Sequence, residues 1–281
     1  SILLEAGIKS PQADVEWLAS EIFQYRRSEL ALYVHKIPTS EQVNRMLKNI
    51  NRRLDREPLQ HILGIGDFYG YGFRVSSAVL IPRPETETLA ELALGFLQSL
   101  SSQTVLDLGT GSGCIAITLA KRCPGVKVIA SDVSESALQL AKLNAETFDA
   151  VKQVEFREAD GLAALVKGEQ VNLIVSNPPY IPSGEISGLQ PEVRYYDPHL
   201  ALDGGEDAAL DAVDAHGDGE QLAAARHHRR AREHKGVARR VRLLVLLLRP
   251  PPSVFSATRR EREKPRGFSR FIARRVGVRR R

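Results

Sequence analysis

The chain has only two cysteines, Cys114 and Cys123. They sit nine residues apart in what reads as one helix, a separation of roughly 13 Å that no disulfide spans. Reduced thiols and a cytoplasmic location are therefore expected. Long apolar runs are also lacking. The longest late one, "LLVLLL" at 243–248, is far below the roughly 20 residues of a membrane span, so no membrane role is expected. No signal peptide opens the chain, and Ser1 stands in mid-helix pattern without a methionine, which implies that a few residues ahead of it are missing. No internal repeat is evident.

A basic track is missing from most of the molecule. The formal charge of +5 conceals two regions of opposite sign. Residues 221–281 hold 18 Arg and 2 Lys against 3 Glu, a net of +17, and the first 220 residues carry −12. An acidic body of that kind lacks the phosphate-binding stripe of a nucleic-acid enzyme. With 281 residues and 43% hydrophobic content, the chain can form a full α/β domain and a smaller module.

The first sixty residues read as helices. In "SPQADVEWLASEIFQY" the apolar positions Val15, Trp17, Leu18, Ile22 and Phe23 cluster on one face, with Ser10 as N-cap and Pro11 at the first helical position. "TSEQVNRMLKNINRRLDRE" repeats the pattern through Val43, Met46, Leu47, Ile50 and Leu54. A helical bundle over 1–60 is followed by a glycine-rich hairpin over 61–80. Within the unit of 81–207, the rhythm from 103 onward is strand, loop, helix: "TVLDLG", "CIAITLAKRC", "VKVIASD", "SALQLAKLNAE", "QVEFREAD" and "VNLIVSN". This alternation predicts an α/β fold, a Rossmann-like parallel sheet with helices on both faces and ligands at the carboxyl ends of the strands.

Three stretches at those strand ends carry chemistry. In "DLGTGSG" (107–113) the glycines Gly109, Gly111 and Gly113 let the backbone turn tightly and approach a ligand where a Cβ would intrude. A structural turn alone is the plain alternative. Asp132 ends the next strand, where its carboxylate can accept both ribose hydroxyls or cap the helix that starts near Ser134. Asp160 closes a third strand and can contact an adenine amino group or cap the following helix. The third stretch is "SNPPY". Proline forces the residue before it out of the helical region, so Asn177 is held extended at a strand tip while Pro179 stiffens the turn. The Asn177 side-chain oxygen and the Pro178 carbonyl then suit a planar amino group, and Tyr180 can pack on it. Both N–H groups of that amine, once bound, turn its lone pair toward an electrophile, which is catalysis by positioning.

The G-x-G-x-G spacing after acidic Asp107 resembles the first motif of S-adenosylmethionine-dependent methyltransferases. With "SNPPY" it resembles the amino-methyltransferases, which act on adenine, cytosine or glutamine amide. "REPLQHILG" (56–64), "FYGYGFRVSSAVLIPRPETE" (68–87) and "YYDPHLALDGGED" (195–207) are similar to the protein N5-glutamine methyltransferases of class 1 peptide chain release factors. The likeness runs from about residue 2 to 207. It implies an N-terminal helical bundle, a hairpin linker and a methyltransferase domain. The implied substrate is the glutamine of a Gly-Gly-Gln loop, and the implied cofactor is S-adenosylmethionine. On this resemblance Asp107, Gly109, Thr110, Gly111, Ser112, Gly113, Asp132, Asp160, Gly161 and Asn177 hold the cofactor. Asn177, Pro178, Pro179 and Tyr180 hold the glutamine, with Arg83 and Glu85 at the pocket mouth. Gly161 departs from the larger, often aromatic residue expected beside adenine. No metal and no nucleic acid is implied for the core, and a monomer is expected. The rival enzyme reading is an adenine-N6 methyltransferase acting on DNA or RNA.

After "ALDGGED" the resemblance stops. The family continues with a helix, a Pro-Gly-Gly turn, a Glu-bearing strand and a closing hairpin, whereas residues 208–281 run into arginine, alanine, proline and histidine. An RNA-binding arm could use such arginines. His227, His228 and His234 lack the partners of a metal site. Translation out of frame from near 207–210 accounts best for a charge break that coincides with the loss of every expected motif. On that reading the tail is disordered, the last strands are missing, and the product is weakly active or inactive.

Overall fold

The computed structural model describes residues 1–97 and 103–206 in full, and the backbone of 242–245. The chain opens with helices α1 (Ile2–Glu5) and α2 (Pro11–Phe23), a 3-10 turn (Arg27–Tyr33), then α3 (Ser40–Leu54) and α4 (Leu59–Leu63). Pro11 starts α2, since its φ is already helical and its missing N–H has no partner to lose. Ser10 holds the N-cap position without a side-chain cap bond. The start of α3 is capped reciprocally: Gln42 N donates to Thr39 Oγ1 at 3.2 Å, and Thr39 N to Gln42 Oε1 at 2.9 Å. The apolar faces are buried less than their spacing predicts. Leu18 and Ile22, one turn apart, are inside, whereas Val15, Trp17, Val43 and Leu47 are exposed. A single small layer of helices has only one covered flank. Part of that flank is taken by Arg53, which is itself buried and donates to Asp14 at 2.7 Å.

Strands β1 (Ile65–Phe68) and β2 (Tyr71–Arg74) form the expected hairpin. Its two-residue turn has positive φ at both Tyr69 (53°) and Gly70 (80°), the mirror-image turn that suits strand twist. Phe68 and Phe73 point inward and are fully buried. Phe73 also meets Phe148 with ring centroids 4.9 Å apart.

Helix α5 (Pro84–Leu97) leads to β3 (Thr104–Leu108), α6 (Cys114–Arg122), β4 (Lys127–Asp132), α7 (Glu135–Thr147), β5 (Val154–Glu158) and β6 (Leu173–Ser176). The sheet order is β5-β4-β3-β6, all parallel, with β3 central and the chain leaving it in both directions. A crevice therefore opens beyond the carboxyl ends of β3 and its neighbours. Register makes the strand tips level: Leu108 lies opposite Ser131 on one side and Ser176 on the other. Gly109, Asp132 and Asn177 are each the next residue, so three elements deliver their functional positions to one line.

Both sheet faces are apolar. Val105, Val128, Ala130, Leu173 and Val175 join the large cluster with α5, α6 and α7. Leu106, Ile129 and Ile174 on the other face meet Ala164 and Val171. Among the described residues that second face is covered by the 3-10 turn Gly161–Ala164 and the link after it, not by the helices that alternation predicts.

After β6 come β7 (Ile181–Pro182), α8 (Pro191–Tyr196) and β8 (Asp203–Gly205), which pairs in parallel with β7. Ile181, Ile186, Leu189, Val193 and Leu202 form their own small core. Within the segment expected to lack structure, four residues are described. Arg242–Val245 forms β9 beside β6, with Leu243 opposite Ile174 and Leu244 opposite Val175. An open sheet edge is a template for an extended apolar stretch, and "RLLV" supplies one. The other residues after 206, with the histidine trio and the arginine runs, lie outside the described residues.

Candidate functional site

The glycine loop between β3 and α6 has three left-handed glycines, at φ 68° (Gly109), 55° (Gly111) and 79° (Gly113). Their roles differ. A Cβ on Gly113 would come within 2.9 Å of Ile117 Cδ1 and 3.2 Å of the Ala141 methyl, so this glycine lets α6 and α7 approach. A Cβ on Gly109 or Gly111 would meet nothing within 4 Å. These two face open space, as a ligand cradle requires.

Asp107 lies beneath the loop, fully buried. Its Oδ2 accepts from Thr110 Oγ1 at 2.7 Å and from Ala116 N at 3.2 Å, while Oδ1 has no hydrogen-bond partner. Burial pushes its pKa up to about 7, against the lowering effect of those donors. Thr110 and Ser112 are buried with it. Asp132 stands at the rim. Its Oδ2 accepts from Gly111 N at 2.9 Å and its Oδ1 from Ser134 N at 3.0 Å. Each oxygen keeps a second lone pair. The helix cap itself is Ser134, whose hydroxyl accepts from Ala137 N at 3.2 Å. Asp160 and Gly161 are exposed at the start of their 3-10 turn, and the Asp160 side chain makes no cap bond there. Gly161 has φ 53° and open space where a side chain would stand.

Asn177 follows β6 directly. Its Nδ2 donates to Thr86 Oγ1 at 3.2 Å, and its Oδ1 is buried without a hydrogen-bond partner. A buried amide oxygen left unpaired costs about 1–3 kcal/mol. Such a deficit is tolerable where a ligand's N–H is to fill it. Pro178 and Tyr180 are half-buried and Pro179 is exposed. The Tyr180 ring packs on the small core of the β7–α8 segment, and burial raises its phenol pKa. Arg83 and Glu85 both act on that phenol, which puts them in its neighbourhood. Arg83 is not free at the mouth. Its Nη2 donates to Asp197 Oδ2 at 2.6 Å, and burial of Asp197 raises that carboxyl's pKa to about 6.

Several residues that hold the site escaped the sequence reading. Thr86 anchors the Asn177 amide. Asn144, on α7, accepts from Arg74 N at 2.9 Å and donates to Arg74 O at 3.1 Å and Ser112 O at 2.8 Å, tying the hairpin to the glycine loop. Glu192 on α8 bonds both Arg53 (3.2 Å) and Arg56 (2.8 Å), joining α8 to the helical bundle. For Thr86 the one local signal is its place in "IPRPETE", between Glu85 and Glu87.

Comparison with known proteins agrees with this layout. The family model described as Methyltransferase small domain matches residues 85–188, and PrmC N-terminal domain matches residues 1–64. A release factor glutamine methyltransferase of Koribacter versatilis is 45% identical over 201 residues, covering 72% of this chain and 71% of its own. Its namesake from Chlorobaculum tepidum is 44% identical over 206 residues, covering 70% of each chain. That of Geobacter sulfurreducens is 42% identical over 205 residues, covering 73% and 70%.

Proposed function

Since the chain belongs to the release factor glutamine methyltransferases, we propose how its own residues carry out that family's reaction. The enzyme methylates the side-chain amide nitrogen of glutamine in class 1 release factors and draws the methyl from S-adenosylmethionine. We place the acceptor in the Gly-Gly-Gln loop. The cradle fits the cofactor: two glycines face open space, and a rim carboxylate has lone pairs to spare. When bound, the cofactor supplies an electrophilic methyl on a sulfonium centre.

The chain's part is to hold two groups in line. Gly109 to Gly113 form the cradle, with Thr110 and Ser112 as its walls, over Asp107, which braces it from below. Asp132 receives the ribose hydroxyls, while Asp160 and Gly161 border the adenine. The glutamine amide enters over "NPPY". Asn177 Oδ1 accepts one of its N–H groups and the Pro178 carbonyl the other, so the nitrogen lone pair turns toward the methyl. Tyr180 packs on the flat amide, Pro179 stiffens the loop, and Arg83 and Glu85 flank the mouth. Transfer would form the N–C bond as the methyl–sulfur bond breaks and leaves a neutral thioether, and Asn177 Oδ1 or the Pro178 carbonyl would pass the surplus amide proton on to water. The observation that supports this most is the buried, unpartnered Asn177 Oδ1.

Substrate recognition we assign to the bundle of 1–60 and the hairpin of 61–80, and catalysis to 81–207. One chain supplies every assigned residue, which supports a monomer. Two free cysteines support a cytoplasmic location, and no helix among the described residues is long and apolar enough to cross a membrane. The test is transfer of tritiated methyl from S-adenosylmethionine to an unmethylated release factor, beside a copy whose Gly-Gly-Gln glutamine is changed. Label on the first alone is expected. Label on both, or in nucleic acid instead, would overturn the assignment of the acceptor.

A further inference from the structure

We propose that Thr86 is a positioning residue for the methyl acceptor, setting the plane and direction of the Asn177 amide so that its oxygen, not its nitrogen, faces the substrate. The inference rests on the assignment of Asn177 to the acceptor amide. Thr86 is 3% exposed, in the first turn of α5. Its N–H donates to Arg83 O at 3.0 Å, and Arg83 is itself fixed by Asp197. The hydroxyl thus sits on a braced helix start, where it accepts the Asn177 Nδ2 hydrogen at 3.2 Å.

A primary amide has two ends of similar size and opposite hydrogen-bonding sense. Rotation by half a turn about its last torsion would present N–H groups to the acceptor amine, donor against donor, and the pocket would repel what it must hold. The bond observed, from the Asn177 nitrogen to the buried Thr86 oxygen, holds the amide in the other setting. The opposite atom, Oδ1, is left buried and unpartnered. Nothing in this requires Thr86 to touch the glutamine, so its effect should pass entirely through Asn177.

The experiment uses the full chain and the variants Thr86→Val, which keeps the shape and loses the oxygen, and Thr86→Ser, which keeps the oxygen. In methyl transfer to unmethylated release factor, Thr86→Val should lower kcat about tenfold or more, as misplacement of a positioning group does. The cofactor dissociation constant should stay within about twofold, and Thr86→Ser should recover most of the rate. Combined with Asn177→Ala, Thr86→Val should cost nothing further. A valine variant as fast as the parent, a serine variant as slow as valine, or a full extra loss on top of Asn177→Ala each overturns the proposal.

A second readout needs no turnover. In isotope-labelled protein the Asn177 side-chain amide should give two distinct, slowly exchanging N–H signals in the parent and in Thr86→Ser. In Thr86→Val they should move toward solvent-like values, and unchanged signals there would overturn the proposal. If label enters nucleic acid in place of the release factor, the glutamine assignment falls. The same variants are then ranked on that acceptor, which also offers a planar amine.

Discussion

At the scale of single residues, burial sets the chemistry of Asp107. With no water around it, the carboxyl holds its proton up to about pH 7, far above its ordinary 3.8. Asp197 does the same up to about 6. Below pH 3.8 both groups are protonated whether the chain is folded or not, and their contribution to folding is complete. As pH rises, the unfolded chain ionises first, so stability is lost until the folded pKa is passed. The ligand-free protein should therefore melt lower at pH 8 than at pH 5, with Asp107 responsible for a few kcal/mol at most. Asp107→Asn keeps an acceptor for Thr110 and Ala116 and has no proton to lose. Its melting temperature should fall less over that range, and parallel curves for the two proteins would refute the assignment. Asp107 itself was legible in the sequence because it sits two residues before the glycine turn at a strand end. The long-range contacts that brace the site were not. Thr86 meets Asn177 across 91 positions, Asn144 meets Arg74 across 70, and Arg83 meets Asp197 across 114. No local pattern marks such pairs.

At the scale of elements, period and punctuation made the strands, the hairpin and the order of the α/β units readable before any coordinates. What they could not give was how much of each face is covered. Spacing puts Val43 and Leu47 on an apolar stripe of α3, yet both are exposed, because burial depends on how many layers pack above a helix. The hairpin shows the converse. Four-residue strands cannot stand alone in water, and this pair is held by aromatic rings driven into the methyltransferase core. Phe73 is fully buried and meets Phe68 edge-on at 6.1 Å and Phe148 at 4.9 Å. Phe73→Ala should destabilise the protein by about 3–5 kcal/mol, read by urea denaturation. Because Arg74 also bonds Asn144, which holds Ser112, the same change should weaken cofactor binding by calorimetry. A variant that loses stability but binds cofactor as before would uncouple the hairpin from the glycine loop.

At the scale of the whole molecule, the question is how the sheet ends. The central strand β3 has neighbours on both sides, and the line of site residues at its carboxyl end needs only β3, β4 and β6. Every residue proposed for the site therefore precedes residue 207. At the sheet edge next to β6 the described residues supply only β9, four residues long. On the second face, Leu106, Ile129 and Ile174 are covered by short, largely irregular chain. The likeness to relatives spans about 200 residues and leaves roughly 30% of each relative unmatched. We read the segment after 207 as translated from a shifted frame, so a one-base correction near that codon should restore a Pro-Gly-Gly turn and a Glu-bearing strand. Added strands and helices would bury more of β6 and the second face. Each kcal/mol gained raises the melting temperature of a chain this size by about 2–4 °C. The corrected chain should melt at least about 5 °C higher on that scale, stay soluble at higher concentration, and methylate release factor faster at equal cofactor occupancy. An uncorrected chain that already melts cooperatively at the same temperature and turns over at the same rate would show that four residues at the edge suffice, and that the arginine-rich segment is a genuine part of the protein.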